Sequence, residues 1–329
     1  MSSATLLWIG LGNMGRVSNS PTDPSLKCRY ILITTVQGMV KNIVEKGNLQ
    51  SPLLIYNRTT QRATDLSASL PAGKTTVVTD LNSALSSATV IFTCLSNDEA
   101  VQSTISSLIK SGVPLKDKLF IDCSTIHPDS TEKVAETILA TGAEFVAAPV
   151  FGAPAAADAG QLIGVLAGPK ASVEKARPWF KGVTSKAEID LSDKPYGKAT
   201  TLKVIGNTFV VNMVEQLAEA HVLAEKIGLG TDPIHQLVSS LFPGPYAAYS
   251  TRMLTGDYHK RDEPLFSVDL ARKDARHAKN LAASVGVKLH NVETADAHLA
   301  DLKEHAGESG DIAGIYGAVR KESGLKFEN

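Results

Sequence analysis

Cysteine is scarce in this sequence. Cys28, Cys94 and Cys123 stand far apart, with no C-x-x-C pair and no histidine-rich spacing beside them. That argues against a disulfide framework or a structural zinc site and fits a reducing compartment. Neither sign of charge is in excess, with 33 basic and 34 acidic residues, and no basic block forms a stripe for nucleic acid. No run approaches twenty apolar residues, so no membrane-spanning helix is expected. The N-terminus lacks a basic leader, and its apolar run at residues 6–12 is too short for a signal peptide. The chain is expected to be cytoplasmic, with no membrane partner, no nucleic acid and no metal.

What is present describes a globular protein: 43% hydrophobic and 20% charged residues over 329 positions, long enough for two domains. Short β-branched runs at residues 5–9, 53–56, 76–78, 89–94, 119–122, 144–147, 164–167 and 187–191 read as strands. Helical patterns such as 98–110 and 128–141 lie between them. This alternation predicts a mostly parallel sheet with helices on both faces. Parallel strands buried on both faces should be continuously apolar, as "VIFTCL" and "LLIY" are.

The pattern changes near Pro195. Residues 198–228 can form one helix of about 45 Å at 1.5 Å per residue. Leu202, Ile205, Phe209, Val210, Met213 and Leu217 are its expected apolar face. Further helical stretches follow, with no convincing strand. The sequence thus predicts an α/β Rossmann-type domain over residues 1–194, entered by a strand and a glycine turn, and a long connecting helix opening an all-α domain over residues 195–329.

"LLWIGLGNMG" places Gly10, Gly12 and Gly15 in G-x-G-x-x-G spacing directly after a strand. Such glycines allow a tight turn, a close approach of backbone to a pyrophosphate, and close helix packing. The alternative is a structural glycine turn. At the end of the second strand, where an NAD site carries an acidic residue, stand Asn57, Arg58, Thr59 and Thr60. A guanidinium and hydroxyls suit a 2′-phosphate, so NADP(H) is expected over NAD(H). The alternative is that Arg58 is a solvated surface charge.

Residues 17–37 interrupt this motif. Without them the chain reads "LLWIGLGNMGRGMVKNIVEKG", an uninterrupted strand, turn and helix. Val17-Ser18 can be encoded by GTAAGT and Gln37 by CAG, the consensus ends of an intron, so a retained intron of twenty-one codons is the expectation. A genuine loop is the alternative, since closing one that size costs only about 3 kcal/mol.

Together "GLGNMG", "NRT", "CLSNDEAV", "DCSTIHP", "APVFGAPAAADAGQL", "GKATTLKVIGN" and "FSVDLARKDARHA" resemble, in order and nearly end to end, the β-hydroxyacid dehydrogenase family. It includes 3-hydroxyisobutyrate dehydrogenases and glyoxylate or succinic semialdehyde reductases. The resemblance implies hydride transfer, with Lys203 as catalytic lysine and Asn207 one turn further on holding the substrate. It implies cofactor contacts from Gly10, Leu11, Gly12, Asn13, Met14, Gly15, Asn57, Arg58, Thr59, Leu95, Ser96, Thr125 and Lys273. Ser124, Gly152, Ala153 and Asp274 join Lys203 and Asn207 around the substrate. The plainer alternatives are a surface lysine at 203, a helix cap at 124–125 and a surface ion pair at 273–274. Two departures stand out: Ser96 where the family more often has proline, and "APVFGA" where its common form is "APVSGG". Phe151 cannot donate the serine's hydrogen bond to a substrate carboxylate, and Ala153 adds a methyl group. A bulkier or less acidic carbonyl substrate than 3-hydroxyisobutyrate therefore fits.

The expected function is an NADP(H)-dependent oxidoreductase acting on a small 3-hydroxy acid or the matching aldehyde or keto acid. An imine reductase or reductive aminase shares the long-helix architecture, although Lys203 and Asn207 argue against it. A non-catalytic NADP-binding scaffold is the reading from another class. The family's helical domain commonly mediates dimerisation, so a homodimer or higher homo-oligomer is expected.

Overall fold

The computed structural model describes residues 4–12, 35–261 and 263–329. The expectations for Asn13, Met14, Gly15 and residues 17–34 fall outside the described residues. The chain divides into two compact units, Met1–Lys203 and Val204–Asn329.

The first unit is built on β1 (Leu6–Ile9), β2 (Leu53–Tyr56), β3 (Thr75–Val77), β4 (Val90–Thr93), β5 (Leu119–Asp122), β6 (Glu144–Ala147), β7 (Val150–Phe151), β8 (Leu162–Gly168) and β9 (Ser185–Ser192). Their order across one sheet is β3-β2-β1-β4-β5-β6-β8-β7, with β9 on β8. The strands from β3 through β6 pair in parallel. β8 runs antiparallel to β6 and β7, giving the sheet a mixed edge. Every residue of β1, β4 and β5 is buried, as helices on both faces require. Alternate side chains feed opposite cores. Leu6, Trp8, Phe92 and Ile121 face one, and Leu7, Ile9, Ile91 and Phe120 the other. Trp8 and Phe92, neighbours in register, stack with ring centroids 5.1 Å apart.

The helix that should follow the glycine turn is Thr35–Lys46. It starts three residues before Gly38, and Val36 and Gln37 in that first turn are buried. Gly38 is needed for close packing: a methyl group there would stand 2.6 Å from the Ala157 carbonyl carbon in the helix Pro154–Asp158. Asn42 donates to the Gly38 and Ala157 carbonyls at 2.8 Å each, and Lys41 pairs with Asp158 at 2.7 Å.

The second unit holds most of the long helix Gly197–Lys226, followed by Asp232–Leu241, Pro245–Leu254, Asp257–Lys260, Val268–Ser284, His290–Ala306 and Ile315–Glu322. Val211, Val214, Leu217, Ala271, Leu299 and Tyr316 share its core. Ile205 and Phe209, expected on the apolar face, are instead 50% and 74% exposed. The long helix is apolar around much of its circumference, so periodicity does not choose which stripe is buried. Among the described residues no helix is long and apolar enough to cross a membrane, and no three His, Cys, Asp or Glu side chains are placed to hold a metal ion.

Candidate active site

β1 has β2 on one side and β4 on the other, so the connections leaving the carboxyl ends of β1 and β4 diverge. A crevice at such a point is where open α/β sheets bind ligands. Gly10, at the end of β1, has φ +92°, and its N–H donates to the Tyr56 carbonyl at 2.9 Å. A methyl group there would stand 2.5 Å from the Cys94 carbonyl oxygen, which only glycine avoids. Asn57 clamps the turn to the end of β2: Oδ1 accepts from Leu11 N at 3.0 Å, and Nδ2 donates to the Thr59 carbonyl at 2.9 Å.

Arg58 and Thr59 are exposed beyond this clamp. Arg62, which no motif in the sequence marks, donates from Nη1 to the Gly12 carbonyl at 3.1 Å. Its one signal was position, four residues past Arg58 in the same polar stretch. A turn with glycine at positions 10 and 12, two guanidinium groups beside it and no carboxylate directly after β2 fits the phosphates of a dinucleotide.

The neighbouring loops are tied together below the surface. Ser124, only 1% exposed, donates from Oγ to Asp122 Oδ1 at 2.6 Å and accepts from Leu95 N at 2.9 Å. Thr93 donates to the same Asp122 oxygen at 2.7 Å. Burial holds the Asp122 carboxyl above its usual range, although these hydroxyls pull it back. Ser124 thus fixes Leu95 over the turn. Ser96 and Thr125 are half-buried beside it. The cap of helix Pro128–Leu139 is His127, whose Nδ1 accepts from Asp129 N at 3.3 Å, not Ser124 or Thr125. Pro128 at the first helical position sets that boundary.

β7, too short for any periodicity to reveal, pairs Phe151 with Ile163 of β8. It brings the Phe151 ring beneath Lys203, whose Nζ lies 4.5 Å from the ring centroid. Gly152 and Ala153 follow, both exposed, leading into helix Pro154–Asp158.

In the second unit Asn207, one turn after Lys203 on the long helix, is buried and donates from Nδ2 to Asp274 Oδ2 at 2.6 Å. Lys273 Nζ lies 3.2 Å from Asp274 Oδ1. Lys273 and Asp274 are 7% and 4% exposed, so this is a buried group and not a surface ion pair. Charges removed from water in this way are tolerated only when paired, and a fixed carboxylate orients the Asn207 amide.

Residues 37–191 match the NAD binding domain of 6-phosphogluconate dehydrogenase, and residues 197–319 match the description NAD-binding of NADP-dependent 3-hydroxyisobutyrate dehydrogenase. The first match opens at residue 37, the far end of the interrupting segment. The chain is 36% identical over 290 residues to the NADH-dependent oxidoreductase ucdB of Aspergillus ustus, covering 88% of this chain and 97% of that protein. It is 31% identical over 170 residues to the chloroplastic glyoxylate/succinic semialdehyde reductase 2 of Arabidopsis thaliana, covering 51% and 46% of the two chains. A 3-hydroxyisobutyrate dehydrogenase of Mycobacterium tuberculosis superposes with a TM-score of 0.73 at 22% identity, covering 96% and 99%, which shows a shared fold.

Proposed function

The chain belongs to the β-hydroxyacid dehydrogenase family of NAD(P)-dependent oxidoreductases, the family of 3-hydroxyisobutyrate dehydrogenase, and from that premise we propose that it prefers NADP(H) and uses Lys203 as its general acid/base. The substrates to try first are small 3-hydroxy acids and the matching aldehydes or keto acids. When bound, the nicotinamide supplies or accepts the hydride.

The observation that carries this reading is Lys203 and Asn207 standing one turn apart, with the Asn207 amide held by Asp274. In the reducing direction the Lys203 ammonium donates a proton to the substrate oxygen, and in the oxidising direction the neutral amine takes one. Asn207 orients that oxygen. The preference for NADP(H) rests on Arg58, Arg62 and the missing carboxylate after β2, and it departs from the NADH dependence in the name of the Aspergillus relative.

Residues 17–37 read as a translated intron, a reading supported by the family match that opens only at residue 37. Nucleotide fluorescence titrations of the 329-residue chain and of a form joining Arg16 to Gly38 test both points. The shortened form is expected to bind NADPH at least about tenfold tighter than the long one, and tighter than NADH. Equal affinities of the two proteins overturn the intron reading, and equal affinities for the two nucleotides overturn the role of the arginines. Lys203→Ala should cut turnover of glyoxylate or succinic semialdehyde by about 10²–10⁴-fold with nucleotide affinity kept. Unchanged turnover excludes Lys203, and no turnover by any form favours the scaffold.

The exposed Ile205, Phe209, Leu223 and Ile227 of the long helix fit a self-association face, which light scattering reads directly; a monomer at micromolar concentration would sink it.

A further inference from the structure

We propose that Phe151 sets the substrate class at Lys203: the ring turns away a small carboxylate-bearing substrate and favours uncharged aldehydes and ketones with an apolar flank. The proposal rests on the oxidoreductase reading above and moves its substrate from the small anionic acids named there to uncharged carbonyl compounds.

The stretch 147–157, "AAPVFGAPAAA", holds no polar side chain over eleven residues. Phe151 lies against Lys203, the exposed Gly152 and Ala153 follow it in the chain, and Pro154 brings no backbone N–H. An anion arriving at Lys203 therefore meets carbon on this side, with no hydroxyl or side-chain amide to replace the water it gives up. Nor can the ring step aside. The Phe151 backbone is held in β7 against Ile163, and its side chain packs on the core that contains Phe145 and Val165.

The ring does more than exclude water. With Nζ 4.5 Å from the centroid, the ammonium lies over the negative face of the π system. A carboxylate pairing with Lys203 competes with the ring face for the same ammonium, and any approach along the ring meets its negative quadrupole. A neutral carbonyl oxygen asks less, since one donated hydrogen bond satisfies it and Lys203 supplies one. An apolar substituent on the carbonyl then gains contact with the ring and the alanines that follow.

The reaction is the same for either class. A bound reduced nicotinamide would supply the hydride that turns the carbonyl carbon into an alcohol carbon, being oxidised in turn. The π electron pair would pass to oxygen, the Lys203 ammonium would give that oxygen its proton, and water would return a proton to lysine. Phe151 changes none of these steps. It changes which substrate reaches them.

The test compares succinic semialdehyde, an anion, with its uncharged methyl ester. A parallel measurement without turnover compares binding of butanoate and butanamide by calorimetry. The wild-type chain should favour the ester in kcat/KM and the amide in affinity, each by about tenfold. Phe151→Ser should reverse both preferences, whereas Phe151→Leu, which keeps the carbon wall, should weaken but not reverse them. Equal or better use of the anions by the wild type overturns the proposal. So does a Phe151→Ser variant that loses both substrates by one common factor, the mark of a structural role alone. Absence of binding by either small ligand overturns it as well. If neither the 329-residue chain nor the form joining Arg16 to Gly38 reduces any aldehyde with either nucleotide, the oxidoreductase reading falls, and the amide-to-anion binding ratio still decides the role of Phe151.

Discussion

The two compact units make their candidate functional groups from different materials. In the first, backbone conformation does most of the work: Gly10 at φ +92°, N–H and carbonyl groups clamped by Asn57 and Arg62, and Leu95 held by Ser124. In the second, side chains on helices do it, with Asn207, Lys273 and Asp274 forming one buried polar group. A site made of backbone depends on φ values and close approaches, so one added atom is felt by the whole turn. A site made of helical side chains can lose one member while the helices stay in place, so its failures are local.

Gly10→Ala strikes at the first kind and should show the largest effect. The added methyl group meets the Cys94 carbonyl oxygen at 2.5 Å and Leu95 Cδ2 at 2.7 Å, on a residue already at positive φ. Strain of roughly 1–3 kcal/mol in the turn itself should cost NADPH affinity on the order of a hundredfold in the form lacking residues 17–37, with a lower melting temperature. Wild-type affinity in this variant would show that the turn is not what holds the phosphates.

Asn207→Ala strikes at the second kind and sharpens the contrast. Removing the amide takes a charge-assisted hydrogen bond from Asp274, which keeps Lys273 as partner. Turnover should fall on the order of tenfold while NADPH affinity stays within about a factor of two. If affinity falls in step with turnover, the separation between the two kinds of site is wrong.

The same division explains what could be read from sequence. Residues 53–56, 119–122 and 144–147 are β2, β5 and β6 residue for residue, because short runs that are apolar but for one acidic end residue in β5 and β6, set between polar turns, leave few alternatives. The long helix was placed to within two residues at each end. Its buried stripe was not, since a helix apolar on most sides carries no phase. At the candidate site, the tight turn at Gly10 and Gly12 was legible as a local motif. Three contacts were not: Arg62 on the Gly12 carbonyl, Ser124 between Asp122 and Leu95, and Phe151 beneath Lys203. Each joins segments far apart in sequence, and only sheet order brings them together.

The smallest effect separates the units by pH. Of the 8 histidines, all but His127 lie in the second unit. Two of them pull in opposite directions. His298 has Nδ1 2.7 Å from Glu215 Oε1 and Nε2 2.9 Å from Glu322 Oε2. Its hydrogen bond to Glu215, with help from Glu322, pushes it up to about 9. Its contribution to stability is complete below about pH 6.5, the ordinary histidine value in the unfolded chain, and is lost as pH rises toward 9. His221, buried beside Ser250 with His235 adding repulsion, is pushed down to about 4. The unfolded chain therefore binds a proton that the folded one refuses, and stability falls as pH drops from about 6.5 toward 4. Hydrogen exchange followed by mass spectrometry should show peptides of residues 204–329 best protected near neutrality, with both limbs shallow. His298→Gln should flatten the alkaline limb, and His221→Asn the acid one, each change corresponding to roughly 3 °C of melting temperature. Peptides from β1, β4 and β5 should not follow either limb. If they do, the two units unfold as one body, and the local character claimed for the second unit's failures is lost with it.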